Sequence, residues 1–186
     1  MVHCQKAKNM RRSGYTVLTT CSPRNTEYVK AQGADEVFDY NDVDVGLKIR
    51  KFTNNRLQLV WDIISTEVSA RICATALSSD SKNCRYASFL TNRSPRDDVE
   101  SIGTNLYTIW GEYFRSGSTQ WPASREDFEW GTKFMELTER LLVNDQLKPH
   151  NCSVKEGGLH GVLQGLEDLK SNKVSAAKLV YQIAKA

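Results

Sequence analysis

Short runs of apolar and β-branched residues alternate along this chain with segments of helical spacing. Residues 15–20 form the first such run, bounded by Gly14 and by Ser22-Pro23, and the pattern predicts a buried parallel strand. Residues 25–32 read as a helix, with Asn25 at its N-cap and Gly33 at its C-cap. A second short strand is expected over 34–40, a helix over 43–52 and a strongly buried strand over 57–64. A helix over 67–77 and a strand over 86–90 follow, then a polar loop over 91–100 containing Pro95. An aromatic stretch over 106–114, helices over 128–144 and 159–170 and a closing strand over 178–184 complete the pattern. Strands alternating with helices at this spacing predict an α/β fold with right-handed crossovers. The expected architecture is an incomplete Rossmann-like, doubly wound, mostly parallel sheet with flanking helices, as one domain over residues 1–186.

Composition narrows the function classes. The net charge is +3, from 25 basic and 22 acidic residues, and no basic block marks a nucleic-acid or anionic membrane surface. No apolar run reaches membrane-spanning length, and the start Met1-Val2-His3-Cys4 lacks the apolar core of a signal peptide. A cytoplasmic location is therefore expected, with Cys4, Cys21, Cys73, Cys84 and Cys152 as free thiols. These cysteines form no Cys-x-x-Cys pair, so no metal site is expected.

A strand ending in Thr19-Thr20-Cys21-Ser22 reads as the second strand of a nucleotide-binding βαβ unit. In such a unit the first strand and its Gly-rich phosphate turn come about thirty residues earlier. Only twelve residues precede Ser13 and none is glycine, so the chain is expected to begin inside the first crossover helix. An Arg24 beside Ser22 and Asn25, at the tip of a strand, has the donors of a phosphate clamp. Proton carriers are less marked. His150 and His160 are candidates because histidine is the side chain that titrates nearest neutral pH, and Asp39 and Glu112 are the carboxylates nearest the expected carboxyl edge of the sheet.

Longer motifs add a resemblance. Cys21-Ser22-Pro23-Arg24-Asn25, the run Gly33 to Tyr40, Thr108-Ile109-Trp110-Gly111-Glu112, Lys148-Pro149-His150 and Lys178-Leu179-Val180 resemble the medium-chain dehydrogenase/reductase superfamily. Within it they are most similar to the fungal trans-acting enoyl reductases that work beside iterative polyketide synthases. The resemblance implies that Ser22, Pro23, Arg24 and Asn25 hold the 2′-phosphate end of NADPH. It implies that Tyr40 lies beside the adenine, Phe89 and Leu90 near the nicotinamide, and Lys178 with Leu179 at a later contact. It also implies that Leu106, Tyr107, Thr108, Ile109 and Trp110 line an acyl pocket.

Two consequences are expected from these residues. With no Gly-rich turn read in the sequence, the leading expectation is a redox-neutral cyclase, isomerase or pericyclase that requires no cofactor and uses the apolar pocket. The alternatives are an NADPH-dependent enoyl reductase, alone or completed by a partner, and a non-catalytic or inactive module that binds a polyketide synthase. A polyketide-type small molecule is the expected substrate. Strand edges left open by an absent first strand predict a homodimer.

Overall fold

A computed structural model describes residues 14–89, 92–147 and 149–184. The first unit is a parallel pair, β1 (Leu18–Cys21) and β2 (Glu36–Asp39), with Leu18 opposite Glu36 and Cys21 opposite Asp39. A 3-10 turn at Pro23–Asn25 and helix α1 (Thr26–Ala31) connect them. Proline at the first position of that turn gives up no N–H that a turn could use. Asn25 stands at the helix start, as the sequence suggests, but its side chain makes no capping bond there. Val17, Cys21, Val29 and Ala34 form the small core beneath α1.

Helix α2 (Val45–Phe52) carries the chain to a parallel three-stranded sheet of order β3-β4-β5, built from β3 (Leu59–Asp62), β4 (Arg85–Ser88) and β5 (Glu100–Gly103). Helix α3 (Glu67–Ala76) joins β3 to β4 and starts in a capping box between Thr66 and Ser69. Val45, Ile49 and Ala76 pack with Leu18 and Phe38 from the first sheet, with Leu57 just before β3 and with Ile72 of α3. Helix α2 therefore ties the two parallel sheets together.

The α2–α3 crossing is tight at Gly46. A Cβ there would stand 2.7 Å from Thr75 Cβ and 2.9 Å from the Ile72 carbonyl oxygen. Gly46→Val is expected to force the helices apart and to cost about 1–3 kcal/mol. An unchanged urea midpoint for that variant would show the crossing to be looser than described. The C-terminal end of α3 is held by two cations. Arg50 donates to the Leu77 and Ala74 carbonyls at 2.9 and 3.3 Å, and Arg96 donates to the Ser78 carbonyl at 2.7 Å. Both guanidiniums face the negative end of the helix dipole. Arg96 also grips Asp98 through two bonds of 3.0 and 2.8 Å, which holds that carboxyl below its ordinary value.

A 3-10 turn at Leu106–Trp110 leads to a short antiparallel hairpin, β6 (Phe114–Ser116) and β7 (Thr119–Trp121), and then to α4 (Arg125–Val143). The last unit is a parallel pair, β8 (Cys152–Lys155) and β9 (Lys178–Tyr181), bridged by α5 (Gly158–Lys170). Gly161 and Gly165 let the Tyr181 ring approach the α5 backbone, and Leu179 packs beside Gly165.

The α/β class and the parallel pairing agree with the sequence pattern. Two features differ from it. The strand over 57–64 was expected to be buried on both faces, yet Leu59 is 44% and Trp61 41% exposed. Among the described residues α3 covers the sheet of this strand on one face. The strands β5, β6, β7 and β8 were not foreseen, because Glu100-Ser101-Ile102-Gly103 and Cys152-Ser153-Val154-Lys155 are short and half polar. No helix among the described residues is long and apolar enough to cross a membrane.

Candidate functional site

The carboxyl end of β1 presents the Ser22–Asn25 turn. Its backbone closes with Asn25 N–H donating to the Ser22 carbonyl at 2.9 Å. The Asn25 amide donates to Ser22 Oγ at 3.1 Å and to Ser175 Oγ at 3.0 Å, and Ser175 Oγ lies 3.2 Å from Asn25 Oδ1. Ser22 Oγ accepts here, so its own proton stays available to a ligand. Arg24 points outward and is exposed, with no hydrogen bond or ion pair among the described residues. A free guanidinium, a hydroxyl with an unused proton and a turn pinned from the far end of the chain suit a phosphate monoester. The donor set thus fits the 2′-phosphate of NADPH.

The other expected residues lie on separate elements. Asp39, opposite Cys21, accepts from the Asn41 backbone N–H and side-chain amide at 2.9 Å each, which makes it a turn-capping carboxylate. Tyr40 follows it and is 42% exposed. Phe89 stands beyond β4 with its ring 5.3 Å from that of Trp61. Leu90 lies outside the described residues. Lys178 is exposed and its backbone N–H donates to the Asn151 carbonyl at 2.7 Å, while Leu179 faces α5.

The stretch from Leu106 to Trp110 folds as a 3-10 turn capped by Asn105, whose side chain accepts from Tyr107 N–H. Ile109 packs against Gly131 of α4, and Thr108 Oγ1 donates to the Asn105 carbonyl at 2.9 Å. The Tyr107 ring meets Trp110 tilted at 5.7 Å and Phe114 edge-on at 5.9 Å. Leu106, Tyr107 and Trp110 nonetheless remain more than half exposed. Glu112 is exposed next to this group. His150 sits with Nδ1 3.2 Å from the Asn151 carbonyl, and His160 is exposed on α5. Among the described residues no three His, Cys, Asp or Glu side chains gather as a metal site.

One group escaped the sequence reading. Asp62, at the end of β3, is 4% exposed and accepts four hydrogen bonds. Ile64 and Ser65 N–H donate to Oδ1 at 3.0 and 2.9 Å, and Tyr86 OH and Ser69 Oγ donate to Oδ2 at 2.8 and 2.7 Å. Burial, and secondarily the Asp62 charge, push the Cys73 thiol up to about 12. Burial also raises the Tyr86 phenol, reinforced by its bond to Asp62. Neither group ionises at neutral pH, and Asp62 has no lone pair left for a substrate proton. Next to this network, Glu67, Ala70, Arg71, Asn92, Arg93 and Pro95 line an open cleft of about 330 Å³.

A parallel α/β sheet with its polar turn at the carboxyl end of a strand is a Rossmann-like arrangement. Solved structures agree on that fold. An enoyl reductase, JamJ in its apo form, superposes with a TM-score of 0.68 at 14% identity, over 94% of this chain and 49% of its own. The quinone oxidoreductase from Coxiella burnetii does so with a TM-score of 0.59 at 16% identity, over 96% and 48%. No protein-family model matches the chain. Sequence relatives are closer. Trans-enoyl reductase ACTTS2 of Alternaria alternata is 41% identical over 172 residues, covering 92% of this chain and 49% of the relative. Trans-enoyl reductase resD of Aspergillus sclerotiorum is 38% identical over 175 residues, with the same coverage. The chain spans about half the length of the relatives it matches, and over that half it is similar to the fungal trans-enoyl reductases.

Proposed function

We propose that this chain works in fungal polyketide biosynthesis as part of an NADPH-dependent enoyl reductase, holding the adenosine-phosphate end of the cofactor. The observation that carries the reading is the exposed Arg24, unpaired among the described residues, beside Ser22 at the carboxyl end of β1. Arg24 would grip the 2′-phosphate, Ser22 would donate its hydroxyl proton, and Asn25 would hold the turn through Ser175. Tyr40 would flank the adenine, and Phe89, Leu90, Lys178 and Leu179 would continue the site toward the nicotinamide. When bound, the cofactor supplies a hydride for an enoyl double bond. The acyl chain would lie along Leu106, Tyr107, Thr108, Ile109 and Trp110. We further propose that residues 1–186 act as one domain, supported by the Asn25–Ser175 bonds between its first and last units, and that the chain is a cytoplasmic homodimer working beside a polyketide synthase.

The redox-neutral reading asks the same aromatic stretch to desolvate a substrate unaided. Leu106 is 67% and Trp110 66% exposed, which gives a reacting chain few dry walls. The reading with NADPH is therefore preferred. Incubation with an enoyl thioester of the pathway, with and without NADPH, separates the possibilities. Loss of nicotinamide absorbance matched by a saturated product supports the proposal. Conversion that proceeds equally without NADPH would overturn it in favour of a cyclase or isomerase. No conversion in either arm would favour a non-catalytic synthase-binding module.

A further inference from the structure

Ser175, in the segment between α5 and β9, is bonded into the Ser22–Asn25 turn from 150 residues away. Its Oγ accepts from the Asn25 amide nitrogen at 3.0 Å and donates to Asn25 Oδ1 at 3.2 Å, since a hydroxyl has both a proton and lone pairs. The same amide nitrogen donates onward to Ser22 Oγ at 3.1 Å. Three side chains thus form one relay, Ser175 to Asn25 to Ser22. It ends on the hydroxyl proposed to meet the 2′-phosphate.

The backbone around Ser175 is shaped to deliver it. Asn172 follows α5 at φ +56° and Ala176 stands at φ +51°. Asparagine takes that left-handed conformation readily, whereas alanine holds it only where its surroundings compensate. Lys173 N–H donates to the Asp168 carbonyl at 2.9 Å, and Lys178 N–H to the Asn151 carbonyl at 2.7 Å. The segment is fixed at both ends, and the strained residue next to Ser175 lies between them. Residues 174–177 are half-buried, so this bend is packed in place. It runs on directly into Lys178 and Leu179, which gives both ends of the proposed cofactor site one support.

A clamp binds best when its donors are set before the ligand arrives, because ordering a loose turn on binding weakens affinity. Without its bond from Asn25, the Ser22 hydroxyl would be free to rotate away from a phosphate. That loss falls on the nucleotide that carries a phosphate there and spares the one that does not. We infer that Ser175 is a positioning residue for the 2′-phosphate: through the Asn25 amide it holds Ser22 Oγ as a preset donor and thereby enlarges the preference for NADPH over NADH. The role rests on the NADPH clamp proposed for Ser22 and Arg24 and extends it to the far end of the chain.

Calorimetric titration with NADPH and with NADH tests it on four variants beside the wild type. Ser175→Ala is expected to weaken NADPH about threefold to tenfold, the range of one neutral hydrogen bond, and to leave NADH unchanged. Ser175→Thr keeps the hydroxyl and should recover most of the preference. In the Arg24→Ala background, where the preference is already gone, Ser175→Ala should add little. Should Ser175→Ala lose its far-ultraviolet circular dichroism, Ser175→Cys takes its place, since a thiol is close in size and a weak hydrogen-bonding group. A Ser175→Ala protein with the wild-type ratio of affinities would overturn the positioning role while leaving the clamp standing. Equal losses for both nucleotides would make Ser175 a general support of the fold and overturn it too. So would a loss in the double variant as large as in Ser175→Ala alone. A wild-type chain without preference for NADPH would overturn the clamp and the role of Ser175 together.

Discussion

Asp62→Ala is expected to cost about 3–5 kcal/mol, enough to leave a marginally stable domain largely unfolded. The carboxylate accepts from the Tyr86 hydroxyl, from the backbone N–H groups of Ile64 and Ser65, and from the Ser69 hydroxyl, which can also reach the Thr66 carbonyl at 3.0 Å. Alanine would leave these donors facing a site too buried to be rehydrated freely. The turn that follows β3 would loosen as well. Ser65 sits at φ +56°, a left-handed conformation that costs a non-glycine residue energy unless its surroundings hold it. Its bonds to Asp62 and the Asn92 amide on its carbonyl provide that hold. Tyr86→Phe removes one donor and strands none, so the loss should be smaller, about 1.5–3 kcal/mol. Urea unfolding of both variants measures the difference. An Asp62→Ala protein within about 1 kcal/mol of wild type would show that water replaces the carboxylate and that the network holds little.

The second large effect concerns binding. Arg24→Ala should weaken NADPH by at least about tenfold, since a charge-assisted bond to phosphate contributes roughly 1.5–3 kcal/mol. Arg24 lies outside the packed core, so the same substitution should leave the unfolding midpoint near that of wild type. NADH lacks the 2′-phosphate, and its affinity should not depend on Arg24. A variant that loses both nucleotides equally would place the effect in the turn's structure rather than in phosphate recognition. Lysine is the informative control. It restores the charge but not the two-pronged donor geometry, and should recover only part of the affinity.

Much of this molecule is legible in its sequence because its early elements are set by short-range pattern. Val17 to Cys21, Val29 and the run from Leu57 to Asp62 announce their strands and helix through the spacing of apolar side chains. What the pattern omits is pairing across distance. The open face of β3 reads in sequence as buried, because alternation cannot say whether a second layer is present. Strands β5 and β8 are too short and polar to stand out beside the loops that carry them.

The site divides in the same way. Ser22, Arg24 and Asn25 are neighbours in the chain and could be read together. Ser175, which anchors Asn25, is 150 residues away and sits in a segment with no motif of its own. Asp62 was not singled out within its strand, because its Tyr86 and Ser69 donors lie 24 and 7 residues off. Asp39, weighed as a proton carrier, instead caps the turn at Asn41.

The central claim is that the Ser22–Asn25 turn is a working clamp for the 2′-phosphate of NADPH. Calorimetric titration of the wild-type chain with NADPH and with NADH tests it most directly. The account predicts that NADPH binds about tenfold or more tightly than NADH, with the preference abolished in Arg24→Ala. Equal affinity for the two nucleotides, or binding of neither, would contradict it.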